Sequence, residues 1–130
     1  MEPFETIQTE QAPAAIGPYS QAVVHGGLVF CSGQIPLIPG TKELRNGSIE
    51  EATEQVLSNL KAVLAAAGCA PEDVLKTTVY LQDLDDFQGM NAVFGKFFGA
   101  HKPARAAIQA AKLPAGARVE IECIAARRAT

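Results

Sequence analysis

The sequence predicts an α+β fold in which two helices cover one face of a mixed β-sheet of four to six strands. The chain has 130 residues, of which 48% are hydrophobic and 19% charged, as is typical of one globular domain spanning residues 1–130. Two segments carry apolar residues at helical spacing, and five read as strands, in the order β-β-α-β-α-β-β. Both helical segments are apolar on one side only, so each is expected to lie on the sheet.

The first two strands are predicted to form a hairpin. Apolar runs at residues 21–24 and 28–32 flank Gly26-Gly27, a dipeptide suited to a tight turn. Gly33 and the Pro- and Gly-containing segment 36–40 are expected to end the second strand, and a surface loop is expected to follow.

The first helix is predicted to begin after Ser48, because Ser48 and Glu51 have the spacing of a capping box. This helix is expected to end at Gly68. The residues predicted to face the sheet are Ala52, Val56, Leu60, Val63, Leu64 and Ala67.

Residues 74–81 form a β-rich run, and the acidic segment 82–86 that follows favours the start of a second helix. Gly99 is expected to end that helix. Its buried stripe is predicted to serve as core rather than as a ligand site, and it consists of Met90, Val93, Phe94, Phe97 and Phe98.

The last third is predicted to contain strands at residues 105–110 and 118–126. Strand alternation places Glu120 and Glu122 on one face of the final strand and its more apolar positions on the other. With no third helix to cover the second face of the sheet, self-association through that face is expected, with a site at the subunit boundary.

Net charge and composition argue against several classes of protein. A net charge of −3 and a pI near 5.3 supply no general attraction to nucleic acid or anionic lipid. The N-terminal segment resembles no signal peptide, no apolar run approaches a membrane span, and three widely spaced cysteines indicate neither a disulfide framework nor a zinc site. A cytoplasmic protein is therefore expected.

Arg105 is the most informative charged residue, because it precedes a run of small apolar residues that is predicted to be buried. A buried arginine needs an anionic or hydrogen-bonding partner. One interpretation is a structural salt bridge to Glu120 or Glu122. The other is a pocket for a small anion, in which the guanidinium grips a carboxylate through two hydrogen bonds and a glutamate positions a water. The residues alone leave both interpretations open.

Other candidates are weaker on local evidence. His25 and His101 are predicted to be exposed, Ser32 lacks the context of a nucleophile elbow, and Tyr19 and Asn91 read as a loop residue and a helix-surface residue. No phosphate-binding loop or metal-ligand spacing is present, so neither an organic cofactor nor a metal is expected.

Several of these residues nevertheless belong to short motifs that occur together, in order, between about Ala12 and Arg128. The combination is more specific than any one of them. The motifs are Ala14-Ala15-Ile16-Gly17-Pro18-Tyr19-Ser20-Gln21, Cys31-Ser32-Gly33-Gln34-Ile35-Pro36, Lys76-Thr77-Thr78-Val79-Tyr80-Leu81, Asn91, Pro103-Ala104-Arg105 and Val119-Glu120-Ile121-Glu122.

This pattern closely resembles the Rid/YjgF reactive-intermediate deaminase family. The resemblance implies a chorismate-mutase-like α+β homotrimer with sites between subunits. It also implies cofactor-free hydrolysis of small 2-imino acids or their enamine tautomers, such as 2-iminopropanoate and 2-iminobutanoate, to 2-oxo acids and ammonia; pyridoxal-phosphate enzymes release these substrates. It assigns Arg105 as the carboxylate clamp and Glu120 as the acid that positions the water. The residues matching substrate-pocket positions are Tyr19, Ser32, Gly33 and Asn91.

The chain departs from the family pattern after the clamp. Many members have Ser or Thr directly after the arginine and some have Cys one position later, where this sequence has Ala106 and Ala107. The clamp-and-water chemistry needs neither a hydroxyl nor a thiol there, so the departure bears on substrate preference alone. Members have also been described as RNA-cleaving translation inhibitors or chaperone-like proteins, an alternative that the dispersed basic residues here do not favour.

Overall fold

Six strands and two α-helices follow one another in the computed structural model, which describes residues 3–128. The elements are β1 (Glu5–Ile7), β2 (Ala22–His25), β3 (Leu28–Gln34), α1 (Ile49–Ala66), β4 (Val74–Leu81), α2 (Phe87–Phe98), β5 (Ala104–Gln109) and β6 (Val119–Ala126). The predicted order is confirmed, with a short strand, β1, added before it.

The strands form one mixed sheet in the order β1-β2-β3-β6-β4-β5. β4 and β5 are parallel and are joined by the crossover helix α2, whereas all other neighbouring pairs are antiparallel. The final strand, β6, therefore lies in the middle of the sheet, and β5 forms one edge.

Glycines at two turns have the backbone conformation that the sequence predicts. Gly26 and Gly27, with φ of 59° and 80°, turn β2 into β3, and Gly68, with φ of 80°, follows the end of α1. Gly33 does not end β3 as predicted: the strand continues to Gln34 through an irregularity in its pairing with β6.

Helix caps match the acidic and hydroxyl residues of the sequence. Ser48 Oγ accepts a hydrogen bond from the Glu51 amide at 3.1 Å, so the predicted start of α1 is confirmed. The acidic segment before α2 first forms a 3₁₀ turn at Leu84–Asp86, which runs directly into the α-helix. Gly99, with φ of 63°, ends α2.

The core lies between the helices and one face of the sheet. Val79, Val119 and Ile121 are fully buried on that face. In the part of the chain that the structure describes, no helix covers the other face, which exposes apolar side chains, including Phe30 at 44% and Ile108 at 48%. The prediction of a one-sided sheet with a partly apolar uncovered face is confirmed.

Two buried amides hold loops to this frame. The Gln21 side chain donates to the carbonyls of Thr9 and Pro13 and accepts from the Thr9 amide. Asn59 Nδ2 donates to two carbonyls of the loop after β3.

Within residues 3–128, no helix is both long and apolar enough to cross a membrane.

Candidate active site

Arg105 lies on the edge strand β5, and its side chain is exposed. The expectation that it opens a buried run is wrong, because every residue of β5 is exposed except Ala107, which is half-buried. Even Ile108 is 48% exposed. The local run of small apolar residues predicted a strand correctly. It carried no information on whether that strand is central or at the edge.

Helix α2 holds the guanidinium of Arg105. Nη1 of Arg105 donates to Asn91 Oδ1 at 2.7 Å. The guanidinium carbon lies 4.8 Å from the ring centroid of Phe94 and 5.4 Å from that of Phe87. We call Phe87, Asn91, Phe94 and Arg105 the arginine half-site.

The contacts follow from helical spacing. Phe87, Asn91 and Phe94 are at positions i, i+4 and i+7, so they share one face of α2. Because α2 is the crossover between parallel strands, that face lies over β5. Phe94 was predicted only as core, and Phe87 was not singled out at all, although their spacing around Asn91 is visible in the sequence.

Glu120 lies on β6 in register with Tyr80, on the face of the sheet that no helix covers. Its side chain is half-buried, and burial together with the neighbouring Glu122 charge raises the pKa of its carboxyl group above the ordinary value. Burial, Glu122 and Glu120 likewise raise the pKa of Tyr80. The predicted sharing of one face by both carboxylates is confirmed.

Gly33 is what allows the Glu120 carboxylate to lie against β3. A Cβ atom at position 33 would be 2.2 Å from Glu120 Oε2 and 2.9 Å from its Cδ, far closer than any normal contact. The hydroxyl of the adjacent Ser32 donates to the Ser20 carbonyl at 2.6 Å. That bond ties β3 to the loop carrying Tyr19, which is 55% exposed. We call Ser32, Gly33, Glu120 and Glu122 the glutamate half-site.

The two half-sites of one chain lie on opposite faces of the sheet. Arg105 is in register with Thr77 and Glu120 with Tyr80, three residues apart along β4, and side chains at odd spacing on a strand point to opposite faces. Among the described residues, Arg105 forms no ion pair with Glu120 or Glu122. The salt-bridge interpretation is therefore wrong for the chain by itself.

A cavity of about 440 Å³ adjoins the arginine half-site. The aromatic rings of Phe94 and Phe98 form part of its wall, and the charged side chains that line it are Lys102 and Arg105. None of its lining residues is acidic. A cavity with this lining suits a small organic anion, with apolar surface for the remainder of the molecule.

The histidines and cysteines differ in their surroundings, and His101 is among the residues that line the cavity. His101 is half-buried with Nε2 at 2.6 Å from the Val74 carbonyl oxygen, so its predicted exposure is wrong, whereas His25 is exposed as predicted. The three cysteines are buried and unbridged. Within residues 3–128, no group of three or more His, Cys, Asp or Glu residues is arranged to hold a metal ion.

Comparison with known proteins gives consistent matches over this fold. The family model described as "Endoribonuclease L-PSP" matches residues 9–127. The chain is 50% identical to Reactive Intermediate Deaminase A, chloroplastic, of Arabidopsis thaliana, over 93% of this chain and 65% of that protein. It is 46% identical to the 2-iminobutanoate/2-iminopropanoate deaminase of Homo sapiens, over 92% and 87% of the two chains. The crystal structure of the YjgF gene product from E. coli superposes with a TM-score of 0.90 at 46% identity, covering 95% of this chain and 99% of that one.

Proposed function

This chain belongs to the endoribonuclease L-PSP family, which includes the Rid/YjgF/RutC proteins, and on that premise we propose that it hydrolyses reactive 2-imino acids to 2-oxo acids and ammonia. The observation that carries the proposal is Arg105, an exposed guanidinium held by Asn91 beside a cavity without acidic lining. Relatives with deaminase names, at 46% and 50% identity, support the reaction.

Substrate binding is assigned to the Arg105 guanidinium. Among the described residues, the Arg105 side chain makes one hydrogen bond, to Asn91. The remaining N–H groups of the guanidinium can therefore donate to a substrate carboxylate. Two parallel charge-assisted hydrogen bonds fix both the position and the plane of that carboxylate. The imine carbon, bonded directly to the carboxylate carbon, is thereby fixed as well.

A complete site requires two copies of the chain. Arg105 and Glu120 face opposite sides of one sheet, so the arginine half-site of one subunit has to meet the glutamate half-site of another. We assign the assembly as the homotrimer that the family resemblance implies, with the uncovered sheet face inside. The exposed apolar side chains of that face, such as Phe30 and Ile108, support its burial against other subunits.

The reaction then needs only a positioned water and a base. Glu120 accepts a proton from the water as its oxygen bonds to the imine carbon, and the electron pair of the C=N bond moves to nitrogen. That proton passes to the nitrogen, which gives a carbinolamine bearing one hydroxyl and one amino group. The hydroxyl proton then passes to the same nitrogen, the C–N bond breaks, and ammonia leaves as the C=O bond forms. No electron is gained or lost overall, so the scheme requires no redox cofactor.

The remaining predicted site residues complete this scheme. Gly33 leaves room for the Glu120 carboxylate, and Ser32 ties its strand to the loop of Tyr19. Tyr19 and the backbone around Ser32 are assigned to the wall facing the substrate. Asn91 orients Arg105.

Cleavage of RNA is the competing function, because the family description names an endoribonuclease. The arginines of this chain do not favour RNA cleavage. All four arginines other than Arg105 pair with carboxylates of the same chain, so RNA phosphate groups would have to displace those carboxylates. These pairs are Arg45–Glu54, Arg118–Asp86, Arg127–Glu5 and Arg128–Asp73.

To test the proposal, 2-iminobutanoate is generated in the presence of the protein, and the release of oxo acid and ammonia is measured. RNA cleavage is measured on the same preparation, freed of contaminating nucleases. We expect imine hydrolysis above the spontaneous rate and no RNA cleavage. Imine decay at the spontaneous rate overturns the proposal. RNA cleavage that depends on this chain would favour the competing function.

A further inference from the structure

The aromatic contacts of Arg105 are unusual for an exposed residue on an edge strand. Its guanidinium carbon lies within 5.4 Å of two ring centroids, both inside the distance at which a cation is attracted to a ring face. Phe94 is only 7% exposed and packs on Phe98 with ring centroids 4.7 Å apart. The guanidinium thus rests on rings anchored in the core, while its own charge faces the solvent side.

These rings replace a counter-ion. An acidic partner would also hold Arg105, but it would occupy the same N–H groups that a substrate carboxylate needs. A ring face attracts the cation through its quadrupole and takes none of those N–H groups. Asn91 takes one of them at 2.7 Å and sets the rotation of the guanidinium plane.

We propose that Phe87 and Phe94 are positioning residues that hold the Arg105 guanidinium ready for the substrate carboxylate, an inference that rests on the function proposed above. A long arginine side chain on an exposed strand samples many rotamers, and binding has to select one of them. Rings that select it beforehand increase affinity without touching the substrate. Once the two-pronged bond has formed it fixes the guanidinium itself, so the chemical step does not depend on the rings.

The test replaces each ring by leucine, which keeps apolar volume and removes the ring face. The variants are Phe87→Leu and Phe94→Leu, with Phe97→Leu as a matched control, since Phe97 is on the same helix, is half-buried and packs on Phe98. Phe87→Tyr is the conservative variant that keeps the ring. Because Phe87 is half-buried, its leucine variant is expected to fold even if the Phe94 variant does not.

Three readouts are taken on each protein: the Arg105 Nε–H resonance in ¹⁵N spectra, the Kd for 2-oxobutanoate, and kcat and KM for 2-iminobutanoate. We expect each leucine variant to lose the part of the ring-current shift that its own ring causes and to raise Kd and KM about fivefold, with kcat within about twofold of wild type. Phe97→Leu and Phe87→Tyr should match the wild-type protein in all three.

Two outcomes overturn the proposal. If Phe87→Leu and Phe94→Leu keep the wild-type Kd and KM, the rings do not position Arg105. If Kd and KM rise equally in all three leucine variants, the rise is a general effect of lost packing. A wild-type protein that has the ring-shifted resonance but neither binds 2-oxobutanoate nor hydrolyses the imine overturns the proposed function instead, and with it the role of the rings in binding.

Discussion

Replacing Gly33 by alanine tests the close approach of Glu120 to β3. The added Cβ would be 2.2 Å from Glu120 Oε2, so the carboxylate has to withdraw by about 1 Å to reach an ordinary contact. The φ angle of Gly33 is not positive, so alanine adds no backbone strain. A misplacement of about 1 Å in a catalytic group lowers kcat/KM roughly 100-fold, which corresponds to about 2.7 kcal/mol.

The assay is hydrolysis of freshly generated 2-iminobutanoate, with thermal unfolding measured on the same samples. Glu120 is a half-buried, flexible side chain that can turn away, so the melting temperature should stay close to wild type. Gly47→Ala is the control, because a Cβ there would be 3.8 Å from its nearest neighbour, an ordinary contact. It should leave kcat/KM unchanged.

A double variant separates the displacement of Glu120 from any other effect. If Gly33→Ala acts only by displacing Glu120, it should cause no further loss of activity in a Glu120→Ala background. An additive loss would mean that the alanine blocks the substrate or the neighbouring subunit. Wild-type activity in Gly33→Ala would refute the assignment of the reactive position to Glu120.

Four more outcomes are expected. Arg105→Lys should lower kcat/KM about 100-fold or more and leave the melting temperature nearly unchanged, since lysine keeps the charge but not the two-pronged grip; an active but destabilised variant would contradict this. Glu122→Gln should move the acid limb of the pH–kcat profile to lower pH. Burial and the Glu122 charge both raise the pKa of Glu120, so removing that charge lowers the pKa of the group that must be ionised to act as the base. An unmoved limb would show that Glu120 is not the titrating base. Sedimentation at micromolar concentration should give the mass of three chains; a stable dimer would overturn the trimer, and a stable monomer would rule out the proposed site between subunits. Prolonged dialysis against a chelator should leave turnover intact, whereas activity that returned only with a divalent ion would require a metal mechanism.

Much of the local structure was decided by the sequence itself. The caps at Ser48 and Gly68, the Gly26-Gly27 turn and the acidic start before α2 depend on residues close together in the chain, and each lies where it was predicted. The same holds for the two carboxylates of β6, because alternation along one strand is a purely local property. Likewise, the order of residues identified the family.

The tertiary structure decided which elements became neighbours. Periodicity specifies that a segment is a strand and which of its residues share a face, but it does not specify the strand beside it, because pairing depends on contacts between distant residues. The insertion of β6 between β3 and β4 makes β5 an edge strand, which exposes Arg105. The same topology puts Arg105 under α2, where Phe87 and Phe94 hold it, and places Glu120 on the opposite face.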